Sequence, residues 1–177
     1  MHKIIICGLN GAGKSTLGAL LAQALGWQFM DIESYYFPPG NTDYTYTAAR
    51  TKDEVSALLA RDMQLHPYLI LAAVKGAYGP DVTRHLTGAI FIHAPKDERM
   101  ARIRSRSHRK FGDRMLPGGD LYQAEEEFFA MAASRDEAEV EAWLQSLSVP
   151  VLRIDGTNPP EVSLKSILND FARRGWI

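Results

Sequence analysis

The chain has 177 residues, 46% of them hydrophobic and 23% charged, with a net charge of −1. That is enough sequence for one domain with a full core, and an ordinary composition for a globule. The near-zero charge excludes a globally basic nucleic-acid binder, no apolar run reaches membrane-spanning length, and a single cysteine, Cys7, excludes an internal disulfide framework.

In chain order, MHKIIICG enters an apolar strand, Lys3 to Cys7, without a signal-peptide pattern, so the chain is expected to be cytoplasmic. Cys7 ends that strand and reads as a buried structural thiol. Leu17, Leu20, Leu21, Ala24 and Leu25 recur at helical spacing, predicting a helix over Lys14 to Leu25 closed by Gly26. Trp27 to Ile32 is a second strand, and Glu33 to Thr51, rich in Tyr, Thr, Pro and Gly, is an irregular excursion. TKDE at Thr51 forms a capping box that opens a helix to about His66. YLILAAV from Tyr68, Ala89 to Ala94 and Val149 to Asp155 complete five strands. Helices are expected over Lys96 to Ser107, Asp120 to Ser134, Arg135 to Leu147 and Pro160 to Arg174. Uninterrupted apolar strands separated by helices indicate a parallel five-stranded sheet covered on both faces, a three-layer αβα domain spanning residues 1–177.

Gly8-Leu9-Asn10-Gly11-Ala12-Gly13-Lys14-Ser15 meets the pattern G-x-x-x-x-G-K-[ST], with Thr16 following. It sits between a strand and a helix, the context that pattern needs. Glycines let successive N–H groups aim at phosphate oxygens, and the helix start adds partial positive charge. Lys14 suits the β- and γ-phosphates of ATP, and the Ser15 hydroxyl suits Mg2+.

YLILAAV runs into Lys75-Gly76 and Ala89 to Ala94 into Pro95, without the terminal aspartate with which motors and switch GTPases hold water or metal, and no Asn-Lys-x-Asp guanine-reading motif occurs. Charge is uneven: Arg99 to Arg114 holds seven basic residues and one acid, leaving 13 basic and 20 acidic residues elsewhere. Such a segment receives something anionic, a phosphate cluster or a nucleic-acid backbone, or else forms a solvated helix face.

These features resemble the small P-loop kinases: shikimate kinase, gluconate kinase and the nucleoside monophosphate kinases. Four places carry the resemblance: the P-loop, Asp31-Ile32-Glu33 after the second strand, RIRSRSHRKFGDRML, and Asp155-Gly156-Thr157-Asn158-Pro159 after the last strand. It implies an ATP- and Mg2+-dependent phosphotransferase with a lid at residues 105–119 and an acceptor-binding excursion at 33–66. It further implies Arg106 near the adenine, Arg114 on the phosphates with Arg102 and Arg109 as lesser candidates, and Arg135 bridging donor and acceptor. Gly156, Thr157 and Pro159 would support the adenine. Asp31 would hold Mg2+ through water and take the acceptor proton, and Glu33 would orient an acceptor hydroxyl.

The chain departs from the shikimate-kinase pattern at Glu33, where an aspartate is usual, and at Lys75-Gly76-Ala77-Tyr78-Gly79, where a glycine run is usual. Acceptor contacts are expected from Tyr36, Arg50, Lys75, Gly76 and Tyr78, with Tyr35, Phe37, Tyr44, Tyr46 and Arg61 as further candidates; the aromatic run reads alternatively as loop packing. The expected partner is a small-molecule acceptor, a hydroxyl or a phosphate, and the assembly a monomer or homodimer without membrane. Three alternatives stay open: a nucleoside or nucleotide kinase, a slow-hydrolysing regulatory module, and a nucleic-acid-dependent ATPase.

Overall fold

A computed structural model describes residues 1–37 and 49–177; the candidates Tyr44 and Tyr46 fall outside these. Strands β1 (His2–Cys7), β2 (Gln28–Asp31), β3 (Tyr68–Ala72), β4 (Gly88–His93) and β5 (Val151–Asp155) form one sheet in the order β2-β3-β1-β4-β5, every pairing parallel. The helices are α1 (Lys14–Leu25), α2 (Ile32–Tyr36), α3 (Lys52–Leu65), α4 (Pro80–Thr83), α5 (Lys96–Phe111), α6 (Tyr122–Ser134), α7 (Glu137–Gln145) and α8 (Pro160–Arg173).

Alternation along β1 separates the two cores, because successive side chains of a strand point to opposite faces. Ile5 and Cys7 pack with Val55, Leu59 and Met63 of α3 and with Val140 and Leu144 of α7. Ile4 and Ile6 pack with Leu17 and Leu21 of α1 and with Ile167 and Phe171 of α8. Both faces of the central strand are therefore dry, which is why its sequence is apolar throughout and the sheet is sandwiched between two helical layers. A third, smaller cluster of Ile103, Met115, Phe129 and Ala132 joins α5 to α6.

Cys7 is fully buried, its thiol lies 3.4 Å from the Ile90 carbonyl, and burial pushes its pKa up to about 12. Thiolate chemistry is thereby suppressed. Native protein at neutral pH is expected to resist a thiol-labelling reagent until denaturant is added; rapid stoichiometric labelling without denaturant would contradict this packing.

Helix α4 was not expected from the sequence, and three further differences from that expectation have a local reason. The excursion begins with a helix, α2, because Asp31 caps it, its carboxylate accepting from the Glu33 N–H at 3.0 Å. Helix α5 runs past Ser107 to Phe111, where Gly112 at φ 57 ends it. His108, Arg109 and Lys110 occupy that last turn, where cations complement the helix dipole. Helix α7 starts after Arg135 rather than at it, because Asp136 is the cap and accepts from the Ala138 N–H at 2.9 Å. Arg135 is left in an extended joint between α6 and α7. Among the described residues no helix is long and apolar enough to cross a membrane.

Candidate active site

The carboxyl ends of β1, β2 and β3 open on one side of the sheet, where α/β sheets bind ligands at the point where strand order reverses. The loop after β1 is anchored to its neighbour by the Gly8 N–H, which donates to the Val74 carbonyl at 3.2 Å. Gly11, at φ 82, lies directly against the Arg99 backbone in the first turn of α5, leaving no room for a Cβ. Gly13, at φ 103, caps α1 with no side chain, and no acid occupies the first turn. The opening N–H groups of α1 therefore have no internal side-chain acceptor, and Ser15 and Thr16 are exposed beside them.

Lys14 turns back over this loop, its ammonium donating to the Leu9 carbonyl at 3.0 Å. Burial lowers its pKa to about 8; Asp31 pulls it up, while Arg135 and Arg106 push it down. A carboxylate and two guanidinium groups from three separate segments thus act on one ammonium. All four side chains line a single cleft of about 1020 Å3.

The loop is held from two sides at Asn10. Buried Arg99 donates to the Asn10 carbonyl at 3.2 Å and to the Ala94 carbonyl at 3.1 Å. Arg135 donates to the Asn10 side-chain oxygen at 2.7 Å. Arg99 enters the sequence reading only as part of a basic run. Its signal was available: it stands one helical turn before Ile103, on the face that points inward, and a buried guanidinium requires acceptors. Arg99→Ala is expected to strip charged hydrogen bonds of about 1.5–3 kcal/mol each, lowering Tm and weakening ATP binding together. Melting curves with and without ATP check this; loss of stability at unchanged ATP affinity would mean that Arg99 does not shape the loop.

Of the other sequence candidates, Leu9, Asn10, Gly11, Gly13, Ser15 and Thr16 line the cleft with Lys14. Glu33, Tyr36, Lys75 and Tyr78 line it too, and Arg102, Arg106 and Arg109 do so from α5. Gly8 and Ala12 lie buried behind the loop. Arg114 is drawn away instead, forming a two-pronged pair with Asp120 at 3.0 and 2.6 Å. Arg50 donates to the Tyr35 carbonyl at 2.9 Å and lies outside the lining, as does Gly76, which packs on Trp143. Tyr35 reaches Asp62 at 2.7 Å, and Arg61 pairs with the same carboxylate.

Gly156, Thr157 and Pro159 also lie outside the lining, yet their loop adjoins the P-loop. An Asp155 oxygen accepts from the Thr157 N–H at 2.8 Å and from its hydroxyl at 2.7 Å. Arg102 of the cleft wall donates to the Gly156 carbonyl at 2.9 Å. Other members of the basic run have internal partners as well: Arg104 pairs with Glu126 at 2.9 Å and covers the Phe129 ring.

Among the described residues no three acidic, histidine or cysteine side chains cluster as a metal cage. The Ser15 hydroxyl and Asp31 carboxylate in one cleft do fit Mg2+, which is usually held by one or two protein oxygens together with nucleotide phosphates and water.

A P-loop opening α1, on a parallel sheet of order 2-3-1-4-5 with an acid closing β2, defines the class of P-loop small-molecule kinases. The chain belongs to that class and to the AAA domain family, whose model matches residues 4–129. It is 30% identical over 160 residues to the Uncharacterized protein YqaC of Bacillus subtilis, covering 86% of this chain and 87% of that one. It is 26% identical over 142 residues to shikimate kinase of Neisseria meningitidis serogroup C, covering 74% of this chain and 84% of that protein. The crystal structure of a gluconokinase from Sinorhizobium meliloti superposes with a TM-score of 0.57 at 18% identity, over 97% of this chain and 92% of that one. The last likeness is one of fold.

Proposed function

We propose that this protein transfers the γ-phosphoryl group of MgATP to a small-molecule acceptor. One observation carries the reading: Lys14, Asp31, Arg106 and Arg135 converge on the same cleft, beside a helix start that no side chain caps. The class to which the chain belongs, and the kinases among its relatives, support it.

Phosphoryl transfer spreads negative charge over the γ-oxygens and the leaving β-oxygen, so catalysis is chiefly positioning and charge stabilisation. The N–H groups from Gly11 to Thr16 receive the phosphates, and Lys14 leaves the Leu9 carbonyl to lie along the β- and γ-oxygens. Ser15 and Asp31 would hold Mg2+, which when bound supplies further neutralisation of those oxygens. With Arg114 held by Asp120, Arg106, expected near the adenine, takes its place beside Arg135 over the γ-phosphate, and the two exclude water. Asp31 accepts the proton of the acceptor hydroxyl, with Glu33 orienting it. Residues 105–119 act as the lid and 33–66 frame the acceptor.

ATP hydrolysis by the purified protein is expected to be slow, and ADP release to accelerate when a pool of small metabolites is added. Acceleration by a protein partner, with no response to small molecules, would favour a regulatory nucleotide-binding module instead.

A further inference from the structure

Asn10 is where the P-loop meets the joint between α6 and α7. Its carbonyl accepts from buried Arg99 at 3.2 Å, and the next residue, Gly11, lies against the Arg99 backbone, so the Asn10 side chain projects from a fixed base. Arg135, 125 positions further along the sequence, donates to the Asn10 Oδ1 at 2.7 Å. Both residues line the cleft, and the Arg135 charge reaches Lys14, Tyr78 and Glu139. Neither belongs to the packed cores, so removing their contact opens no cavity.

The chemistry of the holder sets what the guanidinium can do. Asn10 is neutral, although two carboxylates, Asp136 and Glu139, line the same cleft. Those acids are engaged elsewhere: Asp136 accepts from the Ala138 N–H at 2.9 Å, and Glu139 from Lys75 at 2.7 Å. A carboxylate in place of Asn10 would offset the charge of the group it holds, as Asp120 does for Arg114. A carboxamide oxygen fixes the guanidinium and leaves its charge whole. Holding it takes one of its five N–H donors, which leaves a fork for phosphate oxygens. A side chain ordered in advance also loses less freedom when the ligand arrives.

We propose, resting on the kinase reading above, that Asn10 is a positioning residue: its neutral side chain holds the Arg135 guanidinium beside the P-loop, fully charged and aimed at the γ-phosphate. Asn10 acts through Arg135, and its effect is confined to nucleotides that carry a third phosphate.

Calorimetric titration with Mg2+ and either ADP or the β,γ-imido analogue of ATP tests this, because only the analogue has a γ-phosphate. Arg135→Ala is expected to lower the preference for the analogue over ADP by about tenfold or more. Asn10→Ala is expected to lower it by about threefold, with ADP affinity nearly unchanged in both variants. The double variant is expected to match Arg135→Ala. Asn10→Asp keeps an acceptor oxygen but adds a charge, and is expected to lose at least as much preference as Asn10→Ala. An unchanged preference in either alanine variant, an equal loss of both nucleotides in Asn10→Ala, a further loss in the double variant, or a smaller loss in Asn10→Asp overturns the inference and leaves the kinase reading standing. Wild-type protein that binds neither nucleotide overturns both.

Discussion

Lys14→Met is expected to remove ATP turnover, by about a thousandfold or more, and at the same time to make the nucleotide-free protein more stable at pH 7. Burial holds the folded pKa of Lys14 at about 8, against an ordinary value of 10.5. Between those values the unfolded chain binds the proton more tightly, so stability contributed by this group rises with pH across the window. Below about pH 8 the ammonium is charged in both states and its desolvation opposes folding in full. Methionine keeps the length and removes the charge; the lost hydrogen bond to Leu9 offsets only about 1 kcal/mol. In a chain of this size each 1 kcal/mol of net gain raises Tm by about 2–4 °C. The advantage should shrink as pH rises from 8 toward 10.5, as the wild-type lysine loses its own proton. Thermal melts across that range check the sign: a variant less stable than wild type at pH 7 would mean that the lysine is not held against its charge. The expected gain in the variant means that natural retention of the lysine trades stability for phosphate binding.

Asp31→Asn is the second substitution with a large expected effect. Asparagine is as good a helix cap as aspartate, so its amide oxygen can still receive the Glu33 N–H and α2 should persist. It cannot take a proton from an acceptor, and kcat is expected to fall by about 10²–10⁴ with ATP affinity nearly intact. A second readout separates charge from shape. Asp31 raises the pKa of Lys14, so in the variant the lysine should lose its proton at lower pH, and the alkaline fall in ATP affinity should move the same way. A large loss of ATP affinity at neutral pH would instead make Asp31 a direct ligand of the metal or a support of the fold, rather than a group that holds the metal through water and faces the acceptor.

The phosphate end was legible in sequence because its chemistry is local. Gly11, Gly13, Lys14 and Ser15 are close neighbours in the chain, and their backbone geometry follows from glycine placement and one helix start. The sheet was legible for a related reason: strands buried on both faces are apolar throughout, as Ile4, Ile5 and Ile6 are. Even the capping box of α3 emerged as read, Thr51 and Glu54 exchanging hydrogen bonds.

What the sequence hid were contacts between distant segments. Nothing within RIRSRSHRKFGDRML indicates that Arg114 meets Asp120 across a 3-10 turn, whereas Arg102 reaches Gly156, 54 residues away. Arg50 satisfies the end of α2, an element that was itself expected to be irregular, so its turning to the Tyr35 carbonyl could not be anticipated. The residues expected to meet the acceptor rest on such pairings, Lys75 with Glu139 and Tyr36 with Tyr78. Which charges survive there depends on the folded arrangement and not on residue type alone.

On the function proposed above, this cleft moves a phosphoryl group rather than merely holding or hydrolysing a nucleotide. ATP labelled at the γ-phosphate, incubated with the protein and a small-metabolite extract and resolved by mass spectrometry, tests it most directly. Label is predicted on an organic small molecule with wild-type protein and on none with Lys14→Met; label found solely in inorganic phosphate, or transferred equally well by Lys14→Met, would contradict it.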